Sequence, residues 1–197
     1  NEKEIFNLNE MIHEFNFDGI VKKGAIFDIK KLEWVSGQHL SIKSPKDFLE
    51  LIYEINSNWG LSQSEQYLFK VIDILKSRVR TINDIISYSD YFFNDPKKFD
   101  SDVMKRSWPD SQTNRYIEKY YNVLKGVDDW SFSNLENQLK TFSNNENISI
   151  GKIILPIRLS ISGFGIGPSL YGLMELLTKK TVLRRIKYAI DNFPIGL

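Results

Sequence analysis

The basic residues in the last third of the chain are the side chains whose types and spacing point most clearly to a chemistry. In residues 151–188 apolar residues recur every three or four positions. The positive charge among them comes from six residues: Arg158, Lys179, Lys180, Arg184, Arg185 and Lys187. That spacing predicts helices with an apolar face. Guanidinium and ammonium groups bind phosphates and base edges. The segment therefore suits a helical domain that holds folded RNA by its backbone and unstacked bases, although spacing and charge alone do not establish that function.

The side chains that most often carry out catalysis are few and scattered. There is no cysteine, and the two histidines, His13 and His39, are far apart with no motif around either. No glycine-rich phosphate loop is present, and the pair Asp128-Asp129 is typical of a solvated helix start. The sequence Met104-Lys105-Arg106-Ser107 lacks the leading lysine of a nucleotide-binding signature loop. We therefore expect neither a catalytic residue nor a metal site, which disfavours a self-contained enzyme.

Composition restricts the kinds of ligand that this chain can bind. It has 197 residues, 42% of them hydrophobic, as is typical of a globular protein with one or two domains. Its net charge of +1 is too small for a protein that coats nucleic acid without specificity, so any RNA site must be a local patch. We expect no DNA partner.

The same composition gives expectations about location. The lack of cysteine fits a reducing cytoplasm, and no apolar run approaches the length needed to cross a membrane. The opening sequence NEKEIFNLNE is neither a signal peptide nor a methionine start. It predicts that the chain is a fragment of a longer protein.

Capping signals and apolar spacing predict helices through most of the chain. Three segments read as a capping serine or threonine with a carboxylate three residues later: 44–47, 62–65 and 81–84. Pro109 and Gly126 are placed to open and to close a longer helix, and residues 130–142 predict another. No alternating pattern predicts a strand. The predicted fold class is all-α.

The predicted helices fall into two consecutive bundles, residues 44–100 and residues 101–197, preceded by a short helical segment over residues 1–43. Residues 94–112 are polar and predict a connection that contains one short helix. Within 151–188 we expect two successive helices, a bend at Gly-x-Gly-Pro, and a further basic helix. Pro156 leaves two options, a helix that starts near Leu155 or a helix that is kinked at the proline.

Two motifs resemble the C-terminal half of bacterial glutamyl-tRNA synthetases. One is G-K-x-x-x-P-x-R-L-x-x-x-G-x-x-x-G-P-x-L over residues 151–170, and the other is FDIKKLEWVSGQHL over residues 27–40. The second has Ser36 and His39 where the family commonly has asparagine and an aromatic residue. The resemblance covers essentially the whole chain and is weakest over 94–125. It implies the anticodon-binding portion of a glutamate–tRNA ligase, with the catalytic domain outside this chain.

The resemblance also implies the reaction and the partners of the complete enzyme. Such an enzyme joins glutamate to tRNA(Glu) with ATP and Mg²⁺. We expect those cofactors in the catalytic domain and none in this chain, which alone would be inactive. The expected partner is tRNA(Glu), bound by a monomer in the cytoplasm without any membrane. A helical protein-interaction module without RNA binding is the alternative, and the near-neutral charge supports it.

Individual RNA contacts are implied by the same resemblance. Arg78 matches an arginine beside the first anticodon base and predicts a preference for glutamate over glutamine tRNA, but a shift of two residues would replace it by Arg80. Arg158 matches the arginine of the P-x-R motif, which contacts the anticodon loop. Gly167 and Leu170 match positions that line the pocket for the later anticodon bases.

Further contacts are predicted from charge and ring type. Four cations are candidates for phosphate contacts: Lys140, Lys152, Lys179 and Arg184. Each of them fits a solvated surface residue equally well, and a basic residue near a helix C-terminus also stabilises the helix dipole. Phe164 and Tyr171 are candidates for stacking on bases, although aromatic residues at helical spacing are also typical of a core.

Overall fold

The regular elements of the structure, a computed structural model that describes residues 3–20, 23–24 and 26–193, are all helical. Two 3₁₀ turns, Phe17–Gly19 and Lys76–Arg78, accompany the α-helices. In chain order these are α1 (Leu8–Glu14), α2 (Ile29–Ser41), α3 (Pro45–Ile55), α4 (Glu65–Leu75), α5 (Ile82–Tyr88), α6 (Asp90–Phe93), α7 (Ser101–Ser107), α8 (Ser111–Lys125), α9 (Phe132–Asn145), α10 (Gly151–Ser162) and α11 (Leu170–Asn192). The all-α prediction is confirmed. None of the helices in the described ranges is long and apolar enough to span a bilayer.

Local sequence determines where several helices begin and end. The Ser44 hydroxyl accepts a hydrogen bond from the Asp47 amide at 3.2 Å and caps α3, as predicted. Thr81 and Asp84 form the predicted reciprocal capping box at the start of α5. Gly126 follows the last residue of α8, also as predicted. The polar stretch 94–112 contains the expected short helix, α7.

Two predicted helix starts are wrong by two residues. Helix α4 is capped by Ser64, which accepts from the Tyr67 amide at 3.3 Å, so Ser62 lies outside the helix. Helix α8 begins after Asp110, which accepts from an amide in the first turn, and Pro109 lies ahead of that cap. In both cases the side-chain acceptor nearest to the apolar pattern provides the cap.

The segment after residue 150 differs from its prediction in the number of helices before the bend. Helix α10 runs continuously through Pro156, so one helix precedes the bend at residues 163–169, and the option of a start near Leu155 is wrong. Pro156 has no N–H to donate to the carbonyl four residues earlier. It is nevertheless buried in the helix, where packing outweighs the lost hydrogen bond.

Helix α11 contains the second interruption, at Thr178. Its φ of 69° and ψ of 153° are non-helical, and this region is almost restricted to glycine. One turn before the break, the carbonyl of Met174 accepts a hydrogen bond from the Trp130 indole at 2.9 Å. The Glu175 carboxylate accepts from the Phe132 amide at 3.1 Å. The connection between α8 and α9 is therefore fastened to the break in α11.

Arg185 connects α6, α10 and α11 through the interior. Its side chain is 5% exposed, and its guanidinium lies 2.8 Å from the Asp95 carboxylate. It also donates to the backbone carbonyls of Tyr91 at 2.9 Å, Asn94 at 2.8 Å and Ile161 at 2.5 Å. Burial lowers the pKa of Arg185 to about 10, which leaves the group charged at neutral pH. One cation thus holds the end of α6 against α10 and α11.

Replacing Thr178 by glycine should raise the free energy of unfolding by about 1 kcal/mol. The relief of backbone strain, about 1–3 kcal/mol, exceeds the entropy that glycine adds to the unfolded chain. Thr178→Ala keeps a Cβ atom and is the matched control, for which we expect no gain. Urea unfolding followed by circular dichroism measures both variants. A glycine variant no more stable than the alanine variant would contradict strain at this position.

Candidate nucleic-acid interface

Arg158 lies on α10 with one guanidinium nitrogen unsatisfied. Its side chain is half-buried, and Nη1 is buried without a hydrogen-bond partner in the part of the chain that the structure describes. Burial is the main cause of the lowered pKa of Arg158. A buried donor without an acceptor costs about 1–3 kcal/mol, and more when it is charged. Such a group is expected where water or a ligand supplies the acceptor.

Gly167 and Tyr91 border the space in front of this nitrogen. A Cβ atom at Gly167 would lie 3.1 Å from Nη1 of Arg158 and 3.8 Å from the hydroxyl oxygen of Tyr91. The φ of Gly167 is 152°, which an L side chain rarely adopts. Burial raises the pKa of Tyr91 to about 12, so its hydroxyl keeps its proton at neutral pH. The absence of a side chain at Gly167 therefore leaves the buried Nη1 uncrowded on the side of the bend.

Arg78 approaches Arg158 and Tyr91 from the segment between α4 and α5. It is exposed at the end of the 3₁₀ turn that follows α4. Its charge lowers the pKa of Arg158, after the larger effect of burial, and both arginines oppose the burial that raises the pKa of Tyr91. Neither arginine forms an ion pair with another described residue. Two neighbouring guanidinium groups repel each other unless an anion or an electron-rich group lies between them.

Arg80, the alternative to Arg78, has partners within the fold. Its Nη1 lies 3.4 Å from the Glu33 carboxylate of α2. Its backbone amide donates to the Asp84 carboxylate at 2.9 Å. These contacts turn Arg80 towards α2 and α5, so Arg78 is the better candidate for a ligand contact.

An exposed aromatic ring completes this site. Phe164, on the bend after α10, is 43% exposed, and its ring centroid lies 6.1 Å from that of Tyr91. An accessible ring beside arginine side chains is an arrangement on which bases stack. We call the group formed by Arg78, Tyr91, Arg158, Phe164 and Gly167 the arginine cluster.

Three of the predicted contact residues have structural roles, and we do not retain them as RNA contacts. Leu170 is 3% exposed and belongs to the core. The Lys179 ammonium donates to the backbone carbonyls of Lys125 at 2.9 Å and Val127 at 2.6 Å, where it stabilises the C-terminal end of α8. Arg184 pairs with Asp95 beside the buried guanidinium of the next residue.

The other two predicted phosphate contacts remain accessible. Lys140 is exposed and lies 3.0 Å from Glu136 one helical turn earlier, an arrangement that contributes little to stability and is easily exchanged. Lys152 is exposed on the first turn of α10 without an ion pair to any described residue. The second stacking candidate, Tyr171, is half-buried against Phe132, with ring centroids 5.6 Å apart.

Sequence reasoning missed Tyr91. It stands in the run Asp90-Tyr91-Phe92-Phe93, which is typical of a buried helix, and it is 4% exposed. Its place beside Arg158 results from the packing of α6 against α10, which no local pattern encodes. Only the long-range contacts of the folded chain identify it.

Comparisons with known proteins identify the family to which this chain belongs. A family model described as "Anticodon binding domain" matches residues 45–190, which is more than half of the chain. The chain belongs to the anticodon-binding domain family. The matched range begins at the first residue of α3 and includes every member of the arginine cluster.

Relatives of this anticodon-binding domain include curated glutamate–tRNA ligases. The chain is 31% identical to the glutamate–tRNA ligase of Chloroherpeton thalassium, over 97% of this chain and 40% of the relative. It is 33% identical to that of Flavobacterium psychrophilum, over 96% of this chain and 37% of the relative. A crystal structure of a glutamate tRNA ligase from Elizabethkingia meningosepticum in complex with its amino acid matches 98% of this chain and 38% of that chain, with a TM-score of 0.85 and 26% identity. The chain thus spans about 40% of the length of the curated relatives that it matches.

Methionine substitutions at Arg158 and Arg185 should affect stability in different ways. Arg185→Met removes four hydrogen bonds and leaves three backbone carbonyls without this donor, while Asp95 keeps its ion pair with Arg184, so the free energy of unfolding should fall by about 3 kcal/mol. Arg158→Met removes a buried nitrogen that has no partner, so stability should stay the same or rise. Urea unfolding of the two variants measures the difference. Equal losses would contradict the unsatisfied state of Arg158.

Proposed function

We propose that this chain recognises the anticodon of tRNA(Glu) as part of a glutamate–tRNA ligase. The observation that carries the proposal is the buried Nη1 of Arg158, which has no acceptor among the described residues and lies beside Gly167. The edge of an unstacked base supplies the oxygen or ring nitrogen that this guanidinium lacks. Anticodon loops are single-stranded, and sequence-specific proteins read RNA mainly at such loops.

Each member of the arginine cluster then has a role in holding the splayed loop. Arg158 donates to a base edge, and Gly167 allows that base to approach. The Tyr91 hydroxyl adds a neutral donor, and Phe164 offers a ring for stacking. Arg78 contacts the first anticodon base and favours glutamate over glutamine tRNA. Lys140 and Lys152 contact phosphates, which adds affinity without sequence information.

The reaction itself is assigned to the remainder of the enzyme. Within the described residues no three His, Cys, Asp or Glu side chains are grouped as a metal site. We assign glutamate activation to the catalytic part of the enzyme. ATP and Mg²⁺ would act in the catalytic part, and this chain alone would be inactive. We further propose that the enzyme is monomeric and works in the cytoplasm, where its tRNA is found.

A protein-interaction surface is the second candidate. It is favoured by the apolar side chains that α1, α2 and the segment between them expose, among them Phe17 at 81%, Ile26 at 94% and Phe27 at 75%. Exposed apolar patches of this kind commonly mark contacts with another protein surface. None of these exposed side chains belongs to the arginine cluster, so the two functions would use different residues.

Binding of the chain to tRNA(Glu) tests the proposal. Affinity should fall at least about tenfold between about 50 mM and about 200 mM salt, because phosphate contacts release counterions. A tRNA with a changed anticodon base should bind about tenfold more weakly at either salt concentration. Arg158→Met should remove most of that difference, whereas Lys180→Met, at an exposed lysine outside the cluster, should preserve it. Fluorescence anisotropy measures these affinities for wild type and for both variants, with the native and the changed tRNA, at each salt concentration.

The same titrations separate the proposal from its alternative. Arg78→Gln should reduce the ratio of affinities for tRNA(Glu) and tRNA(Gln), and an unchanged ratio would contradict its assigned role. Binding that depends on salt and not on the anticodon would contradict base readout. Binding that depends on neither would favour the protein-interaction surface.

A further inference from the structure

The place of Arg78 in the arginine cluster is set by its backbone. Its side chain is exposed and forms no ion pair with a described residue. Its charge and that of Arg158 repel each other, because Arg78 lowers the pKa of Arg158. A cation that no anion holds, and that another cation repels, keeps its place through the segment of chain that carries it.

The 3₁₀ turn that carries Arg78 is fixed at both of its ends. Leu75 precedes the turn and Val79 follows it, and each side chain is 3% exposed and belongs to the core. Beyond the turn, the Arg80 amide donates to the Asp84 carboxylate at 2.9 Å. These contacts hold the ends of the turn, and its remaining support comes from a helix that is distant in sequence, α2.

Gly37 of α2 lies directly against the backbone that follows Arg78. A Cβ atom at Gly37 would lie 3.1 Å from the carbonyl oxygen of Val79 and 3.4 Å from Cα of Arg80. Ordinary contacts of a Cβ atom begin at 3.4 Å, so a side chain at this position would displace the Val79 carbonyl or α2. The absence of a side chain at Gly37 therefore allows the two segments to pack this closely.

A glycine inside a helix requires an explanation, because alanine stabilises a helix more. Gly37 lies in the interior of α2, which runs from Ile29 to Ser41. It is not one of the glycines with a positive φ, so conformational freedom does not explain it. The close approach to the Val79 carbonyl does explain it.

Other contacts hold α2 against the same turn. One helical turn before the glycine, the Glu33 carboxylate lies 3.4 Å from Nη1 of Arg80. Near the end of α2, Leu40 is 6% exposed and belongs to the core. Just beyond the helix, the carbonyl of Lys43 accepts a hydrogen bond from the Lys76 ammonium at 3.4 Å. The turn therefore rests on α2 from Glu33 to Lys43.

We propose that Gly37 is a positioning residue that determines how well Arg78 discriminates between tRNAs. The inference rests on the role proposed above for Arg78, and it requires no contact between Gly37 and RNA. A binding site requires its donors to be held within about 0.5 Å of the productive position. A displaced Val79 carbonyl moves the peptide next to Arg78, and the displacement grows along the arginine side chain.

Gly37→Ala tests the inference in titrations with tRNA(Glu) and tRNA(Gln). The variant should remain folded, because alanine favours the helix. The ratio of the two affinities should fall about three- to tenfold, part of the discrimination that a well-placed arginine provides. The matched control is Gln38→Ala, at the next position of α2, where the side chain is exposed and the ratio should not change.

Two readouts separate positioning of Arg78 from general damage to the fold. In an Arg78→Gln background, Gly37→Ala should change the ratio no further, because the group that it positions is gone. The anticodon discrimination that depends on Arg158 should stay as in wild type. An additive loss of the ratio, or an equal loss of the Arg158-dependent discrimination, would overturn the inference.

An NMR measurement without RNA tests the packing itself. In two-dimensional spectra of the free chain, Gly37→Ala should shift the amide resonances of residues 76–80, and Gln38→Ala should leave them in place. Unshifted resonances in Gly37→Ala would overturn the inference, whatever the RNA titrations give.

Failure of the inference and failure of the proposed function give different results. A ratio that falls in Arg78→Gln and not in Gly37→Ala would overturn the positioning role and leave the role of Arg78 intact. A ratio that falls in neither variant would overturn the discrimination assigned to Arg78, and with it the specificity assigned to Gly37.

Discussion

The buried guanidinium of Arg185 is the interaction on which the arrangement of this chain depends. Its hydrogen bonds join the end of α6 to α10 and α11, and the arginine cluster is assembled from both sides of that junction. Arg78 and Tyr91 precede α7 in the chain, while Arg158 and Gly167 lie on α10 and on the bend after it. A site built from segments so far apart in sequence is only as well positioned as the contacts that hold them together, because RNA readout requires donors fixed against a base edge.

Two arginines with different surroundings illustrate how the fold separates stability from recognition. Arg185 is enclosed, and every direction of its guanidinium meets a carboxylate or a carbonyl, so its charge is neutralised within the protein. Arg158 is half-buried, yet its Nη1 is buried without an acceptor among the described residues, and the charge of Arg78 lowers its pKa further. The protein thus holds a strong donor ready in a site from which water is partly excluded, where a base edge gains more than it would in solution. The net charge of +1 is compatible with this local arrangement.

Local patterns predicted the helical class and several of its boundaries, because capping depends on residues three positions apart, as at Ser44 and Thr81. The resemblance in residues 151–170 singled out Arg158 and Gly167. The roles of the other cations could not be read from sequence, since Lys179 and Arg184 have the same chemistry as a phosphate contact and differ only in the partners that distant segments supply. The break at Thr178 has no glycine or proline to indicate it, and the nearby contacts of Met174 and Glu175 are with Trp130 and Phe132, from a separate helix connection.

The measurement that tests the central claim most directly is a double-mutant cycle between Arg158→Met and each base of the anticodon. Affinities of wild type and variant for the native tRNA and for tRNAs with single anticodon changes give a coupling energy at each position. We expect a coupling energy between Arg158 and one anticodon base of about 1–3 kcal/mol, and a coupling energy close to zero at the other bases. Additive effects at all of the anticodon positions, with Arg158→Met still folded, would contradict base readout by Arg158.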